Sequence, residues 1–363
     1  MAQSLSAQGA SERKAMSQSR VAVDAAWVKR RATELGADLV GIASADTLNA
    51  FPPDPLWPQT PDRISPYCRS VIVVINRIPA GAFRCKSNTP VQYLDMLVLR
   101  RMDRIAYRLA EELERKGWPS LVTAAQETDW NYKKASYGRL STRHLGVEAG
   151  LGTLGLEVNL LTPEFGPRVY LTGILTELEL EADQRITEQV CIGETCSRCL
   201  HSCPANAVLH WGIDKRQCAT EAQEFGFASM LRVFGRLLHG EINDDTVKRA
   251  FRSRDFFGFW QGLLRVVGSF GDCPRCLAVC PVGEDYQEHL SDVQKVIPEK
   301  TPEKVALGKQ YKQRRAQHEA GEIPAPGLSD WNRRWVGPKG YKGTVAKQRL
   351  QGSTQEATER GQD

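Results

Sequence analysis

Cys191-Ile-Gly-Glu-Thr-Cys196-Ser-Arg-Cys199-Leu-His-Ser-Cys203-Pro204 opens, and Cys273-Pro-Arg-Cys276-Leu-Ala-Val-Cys280-Pro281 closes, a stretch holding eight of the chain's ten cysteines, with Cys218 between them. Both ends share the form C-x2-C-x3-C-P. Thiolate sulfur is a soft ligand. Closely spaced cysteines on a tight loop can wrap a cubane cluster while a neighbouring loop supplies the remaining ligand. Eight thiolates suffice for two such cubanes. Disulfide frameworks belong to short secreted chains, and nothing here marks export. Zinc ribbons also use C-x2-C pairs, but the third cysteine and the proline after it favour iron–sulfur. The gap from Cys191 to Cys196 is two residues longer than ferredoxin spacing, so Cys191 departs from the pattern.

Around this stretch the composition is that of a water-soluble globular chain of 363 residues, with a net charge of +5. The segment after about Val293 is rich in Lys and Arg. It reads as a solvated surface or docking arm before it reads as a nucleic-acid site. No apolar run approaches the ~18 residues that cross a bilayer. The first twenty residues lack an apolar signal core and a twin-arginine pair, and thiols keep best in a reducing compartment, so the expectation is a cytoplasmic protein without a membrane partner.

Four units are expected: a disordered tail over 1–20, an α/β domain over 21–185, a cysteine domain over 186–290, and a polar, basic extension over 291–363 that wraps the body. In the second unit a helix ends at Gly36, and Asp38–Ser44 and Ser70–Asn76 read as buried strands separated by a proline-rich loop over 51–66. A long amphipathic helix over 91–116 precedes a third strand, Leu121–Ala125. The alternation predicts a mixed or parallel sheet. A short helix near 143–149 is followed by strands over 157–161 and 168–175. Between the cysteine motifs, helices are expected around 221–238 and 245–267.

Gly150-Leu-Gly152-Thr-Leu-Gly155 matches the dinucleotide pattern G-x-G-x-x-G. That pattern needs a strand before it and a helix after it, so that a helix N-terminus faces the pyrophosphate. Here the order is inverted. The glycines mark either a tight helix-to-strand turn or a backbone brought close to a bulky group.

The block from Gly146 to Gly155, then Leu160-Leu-Thr-Pro-Glu-Phe-Gly-Pro-Arg-Val-Tyr-Leu-Thr-Gly-Ile-Leu-Thr-Glu177, then the two cysteine motifs, resembles the cobalamin- and iron–sulfur-dependent reductive dehalogenases. The same blocks are similar to epoxyqueuosine reductase, and the resemblance covers about 21–285. It implies an α+β architecture: a nitroreductase-like α/β module holding base-off cobalamin, then a ferredoxin-like module with two [4Fe–4S] clusters. It places Gly150, Gly152 and Gly155 against cobalamin. Because the last cysteine of a ferredoxin run ligates the other cluster, Cys191, Cys196, Cys199 and Cys280 are assigned to one cubane and Cys203, Cys218, Cys273 and Cys276 to the second. Cys68 and Cys85 stand apart.

The resemblance separates the two relatives at one point. Epoxyqueuosine reductases carry an aspartate proton donor about fourteen residues before the glycine turn, where this chain has Ser136, and its nearest acid is Asp129. In dehalogenases a tyrosine helped by a cation gives the proton. Tyr's pKa of ~10 keeps it protonated at neutral pH, and a nearby cation steadies the phenolate. Tyr132, Tyr137 and Tyr170 are the candidates, Arg168 is the first candidate cation, and Trp130 could line an aromatic-substrate pocket. The absent twin-arginine leader resembles the soluble, non-respiratory type. The expected activity is replacement of halogen by hydrogen on an organohalide, with electrons from a ferredoxin, flavodoxin or reductase. The alternatives are a tRNA-modifying epoxyqueuosine reductase, in which nucleic acid would be the partner, and an electron-transfer or corrinoid-handling protein without its own organic substrate.

Overall fold

Val71-Ile-Val-Val-Ile75 is a run of β-branched residues that suits a strand covered on both sides, and in the computed structural model every residue of Ser70–Asn76 is buried. The structure describes residues 23–53, 58–86, 88–124, 129, 138–222, 227–240, 243–253, 256 and 273–323. The elements in chain order are α1 (Ala25–Glu34), β1 (Leu39–Ser44), α2 (Ala45–Ala50), β2 (Ser70–Arg77), α3 (Asn88–Arg115), β3 (Ser120–Thr123), α4 (Thr142–Glu148), β4 (Thr153–Leu154), β5 (Leu160–Leu161) and β6 (Val169–Thr176). The cysteine-bearing part adds α5 (Arg198–Ser202), β7 (Val208–Leu209), β8 (Gly212–Ile213), α6 (Lys215–Ala222), α7 (Phe227–His239), α8 (Asp244–Phe251), α9 (Arg275–Ala278), α10 (Gln287–Lys295) and α11 (Pro302–Glu319).

The main sheet has the order β1-β2-β6-β3, and each neighbouring pair is antiparallel. This corrects the mixed or parallel expectation. The crossover from β2 through α3 to β3 does return the chain in the same direction, as alternation implied. β6 arrives later in the sequence and inserts between those two strands, so no parallel pair touches.

Side chains of a strand alternate between faces. Ile72 and Val74 join Val28, Ala32, Met102, Ile105 and Leu109 under α1 and α3. Val71, Val73 and Ile75 face the other way, into a core shared with Leu145, Leu171 and Leu175 and also with Ala278, Tyr286 and Leu290. The second core is thus closed by the segment around the last cysteine. Close approach on that side depends on a row of small residues. Gly41 and Gly173 both lie opposite Val73. A Cβ at Gly41 would stand 2.4 Å from the Ala149 carbonyl oxygen.

Several expected elements differ. The strand over 157–161 shrinks to Leu160–Leu161, paired with Thr153–Leu154, and Glu157 falls in the connecting turn. The helical stretch over 221–238 is two helices, α6 and α7, and the one beginning near 245 is described only to Phe251, in α8. The described part of the extension, to residue 323, holds the end of α10 and all of α11. Thr301 caps α11 by accepting from the Lys304 N–H, and Pro302 occupies the first turn. The buried residues of α11 are Lys304, Gly308 and Tyr311. Their spacing is helical but two of them are not apolar, which hid the helix from a hydrophobic-period reading. The expected tail over 1–20 lies outside the described residues.

Gly41→Ala should lower stability by about 1–3 kcal/mol through overpacking against the Ala149 carbonyl. Gly235→Ala, whose Cβ would meet nothing within 4 Å, should be neutral or raise it by up to ~1 kcal/mol. Denaturant midpoints of the two variants check the contrast.

Candidate metal centre

The first cysteine run is shaped by unusual backbone. Gly193 has φ 76° and Ser197 φ 47°, bracketing a 3-10 turn over Gly193–Thr195 that fills the extra length between Cys191 and Cys196. The Gly193 N–H donates to the Cys191 sulfur at 3.3 Å and the Ala207 N–H to the Cys203 sulfur at 3.1 Å. Cys199 lies in α5, Cys218 in α6 and Cys276 in α9. All ten cysteines are free thiols, so no disulfide framework exists.

Cys191, Cys196, Cys199 and Cys280 line one cavity, together with Leu156, Glu157 and Val282. Its empty volume is about 310 Å³, part of it open to solvent. Cys191, despite the long gap, stands in the wall with the other three. Burial pushes the Cys191 thiol up to about 12, with Glu157 adding to the rise. Cys199 is raised by burial, then by Glu157 and by Cys191, Cys276 and Cys280. Cys276 is raised by burial and Glu157, then by Cys273, Cys218 and Cys203. The thiols therefore form two electrostatic neighbourhoods, with Cys276 of the second acting on Cys199 of the first.

Among the described residues no three His, Cys, Asp or Glu side chains are placed to hold a single metal ion. A mononuclear zinc site brings its sulfurs to within ~2.3 Å of one point. Here four soft donors surround a void instead, and such a set fits a multi-iron cluster. A metal-bound thiolate is deprotonated outright, so iron would replace the protons that burial otherwise retains.

Other walls come from elements that the sequence reading passed over. Glu157, at the apex of the β4–β5 turn, is buried; desolvation raises its carboxyl to about 7, and its Oε1 has no hydrogen-bond partner among the described residues. Glu194 lies inside the 3-10 turn. Burial alone would raise it, but His210 Nε2 (2.9 Å), Trp211 Nε1 (2.6 Å) and Arg315 (3.2 Å) surround its carboxylate and hold it down at about 2. Lys304 donates to the carbonyls of Cys203 (2.7 Å), Glu299 (3.0 Å) and His201 (3.4 Å), closing the C-terminus of α5. α11 thus clamps the first cysteine run. Gln294 of α10 donates to the Cys280 carbonyl at 2.9 Å.

The glycine turn has a helix before it and a strand after it, as expected. Gly150 has φ +68°, and a Cβ there would lie 2.3 Å from the Gln184 carbonyl oxygen; at Gly152 it would lie 2.2 Å from that of Leu161; at Gly155 it would meet Leu161 and Glu157. Each missing Cβ makes room for the protein's own atoms. These positions seat the linker that leads to Cys191: Thr153 Oγ1 accepts from the Val190 N–H at 3.1 Å, and Gln189 donates to the Leu154 carbonyl at 3.2 Å.

Arg168 is fully buried, and its guanidinium donates to the carbonyls of Phe165, Val282 and Cys280. Tyr170 is half-buried in β6 and packs against both cores. Trp130, Tyr132 and Tyr137 lie outside the described residues. Asp129 is buried and ion-paired with Arg63 at 3.2 Å. No helix of the described residues is long and apolar enough to cross a membrane.

No protein-family model matches the chain. It is similar to an epoxyqueuosine reductase of Bacillus anthracis, 27% identical over 183 residues, covering 49% of this chain and 40% of that protein. It is also similar to a tetrachloroethene reductive dehalogenase of Sulfurospirillum multivorans, 32% identical over 139 residues, covering 37% of this chain and 22% of that protein. Among solved structures, a catabolic reductive dehalogenase in complex with 3-bromo-4-hydroxybenzoic acid overlaps 87% of this chain and 38% of its own, at 17% identity and a TM-score of 0.45. The chain spans less than half the length of either curated relative.

Anaerobically reconstituted protein should bind about eight irons per chain, and Cys280→Ala about four, by iron and sulfide assay. Stoichiometric zinc without iron would refute the assignment. Burial pushes Cys68 up to about 11, whereas Cys85 is exposed. At pH 8 roughly one Cys68 in a thousand is ionised, so iodoacetamide should label Cys85 and spare Cys68 in the folded protein, as read by mass spectrometry.

Proposed function

We propose that the chain is an iron–sulfur oxidoreductase of the reductive dehalogenase type, cytoplasmic and fed with electrons by a ferredoxin, flavodoxin or reductase. The observation that carries this reading is the ring of four thiols, Cys191, Cys196, Cys199 and Cys280, around one cavity, with Cys203, Cys218, Cys273 and Cys276 alongside. When bound there, [4Fe–4S] clusters supply one-electron transfer. The chain's own work is to hold the two cysteine runs in place, through Gln294 and Lys304.

The organohalide is favoured by the sequence at Ser136, which lacks the aspartate expected of an epoxyqueuosine reductase. In this reading Tyr132 or Tyr137 gives the proton to the carbon that loses halide. The cobalamin of the resembling families is part of the proposal, with Gly150, Gly152 and Gly155 as the turn expected to lie against it. The second reading, reduction of epoxyqueuosine in tRNA, is favoured by the similarity to the Bacillus anthracis reductase.

With reduced viologen and a panel of halophenols, the anaerobic protein should release halide and contain cobalt as well as iron. A carrier would take up electrons and release none. Tyr132→Phe should retain its iron yet lose at least tenfold in turnover, and unchanged turnover would transfer the role to Tyr137. Restoration of queuosine in the tRNA of a strain lacking epoxyqueuosine reductase, with no halide released, would establish the second reading instead.

A further inference from the structure

Arg168 is the one charged residue at 0% exposure among the described residues. A guanidinium is not deprotonated in proteins, so a full positive charge sits in the interior, where an unpaired charge is costly. Its hydrogen-bond acceptors among the described residues are three neutral carbonyls: Phe165 at 3.2 Å, Val282 at 2.7 Å and Cys280 at 2.5 Å. Its Nε has no partner among those residues. Carbonyls satisfy the N–H groups, and the acidic groups whose charge reaches the guanidinium are Cys280, Tyr286 and Glu157. One side of the guanidinium is stacked by Tyr286, with its central carbon 4.6 Å from the ring centroid, and Phe83 lies at 6.0 Å.

Two of the three carbonyls, those of Cys280 and Val282, belong to the wall of the thiol cavity. The backbone around them is closely fitted. Gly166 has φ +58°, and a Cβ there would stand 2.2 Å from the Val282 oxygen. Gly283 has φ +108°, and its Cβ would meet the Phe165 carbonyl carbon at 2.6 Å. The charge is therefore held against the cavity by two interlocked loops. A cluster on four thiolates is anionic, and Cys280, one of those thiols, already acts electrostatically on Arg168.

We propose that Arg168 is a positioning residue that serves as counter-charge to the cluster held by Cys191, Cys196, Cys199 and Cys280, and that it raises the reduction potential of that cluster. This rests on the iron–sulfur reading above. Reduction adds one electron from an external low-potential reductant, dithionite in the test, with no bond or proton exchanged. The added negative charge is what the guanidinium stabilises.

The test is a redox titration followed by EPR on the reconstituted full chain, comparing wild type, Arg168→Lys and Arg168→Gln. Iron and sulfide content of the wild type comes first. An iron-free wild type would overturn the iron–sulfur reading, and the inference with it, at that step. With iron present, Arg168→Gln should lower the reduced-to-oxidised ratio at least tenfold at the wild-type midpoint, a 59 mV negative shift for a one-electron couple, in one cluster only. Arg168→Lys keeps the charge and should stay within threefold. Unmoved potentials in an iron-loaded Arg168→Gln, equal shifts in both clusters, or a Lys variant displaced as far as the Gln variant would each overturn the inference. If Arg168→Gln fails to load iron, Arg168→Lys decides alone: within threefold supports the counter-charge, and a tenfold shift refutes it.

Discussion

A strand buried on both faces must be covered twice, and the way β2 meets this requirement determines the layout of the rest. One face is covered by α1 and α3, an ordinary helical layer. The other is covered by α4 and by the segment carrying Cys280, which contributes Ala278, Tyr286 and Leu290 to the same apolar core. The cysteine-bearing part is therefore not an appendage joined by a linker. Its packing and that of the sheet belong to one apolar core, which lies beneath the segment carrying Cys280.

That shared core explains why polar contacts accumulate at the junction. The Cys280 carbonyl accepts from both Arg168 and Gln294, which come from opposite sides of it. Tyr286 stacks on Arg168 while its hydroxyl donates to the Ile78 carbonyl, tying the loop after Cys280 to the end of β2. On the surface, Arg77–Asp285 and Arg84–Asp292 bridge the same two regions, but exposed pairs of this kind contribute at most ~1 kcal/mol. The buried contacts, each costly to leave half-made, set the register.

The cysteine spacing and the apolar strands were legible because each rests on a local rule. β1, β2, β3 and β6 appear within a residue or two of where periodicity put them. Strand order was not legible, since nothing local announces that β6 will slip between β2 and β3. α11 was missed because its buried positions are Lys304, Gly308 and Tyr311, chosen to cap carbonyls, admit His201 and pack an aromatic ring. The burial of Arg168 was not legible for a similar reason. Nothing local to Gly166-Pro167 announces it, and only the fold shows that the loop before it and the loop after Cys280 enclose it. Glu157 and Glu194 carry no motif at all. Their neighbours are distant in sequence.

The clamp formed by α11 bears on the order in which the molecule is made. A nascent chain that has emerged as far as Cys203 already presents the first cysteine run, yet it lacks Cys280, which lines the same cavity, Arg315, which pairs with Glu194 between Cys191 and Cys196, and Lys304, which holds the end of α5. Those residues leave the ribosome a hundred or so positions later. Until then the first cysteine run lacks the contacts that close it. Four-thiol coordination at this cavity is thus open only to a chain extended past Cys280.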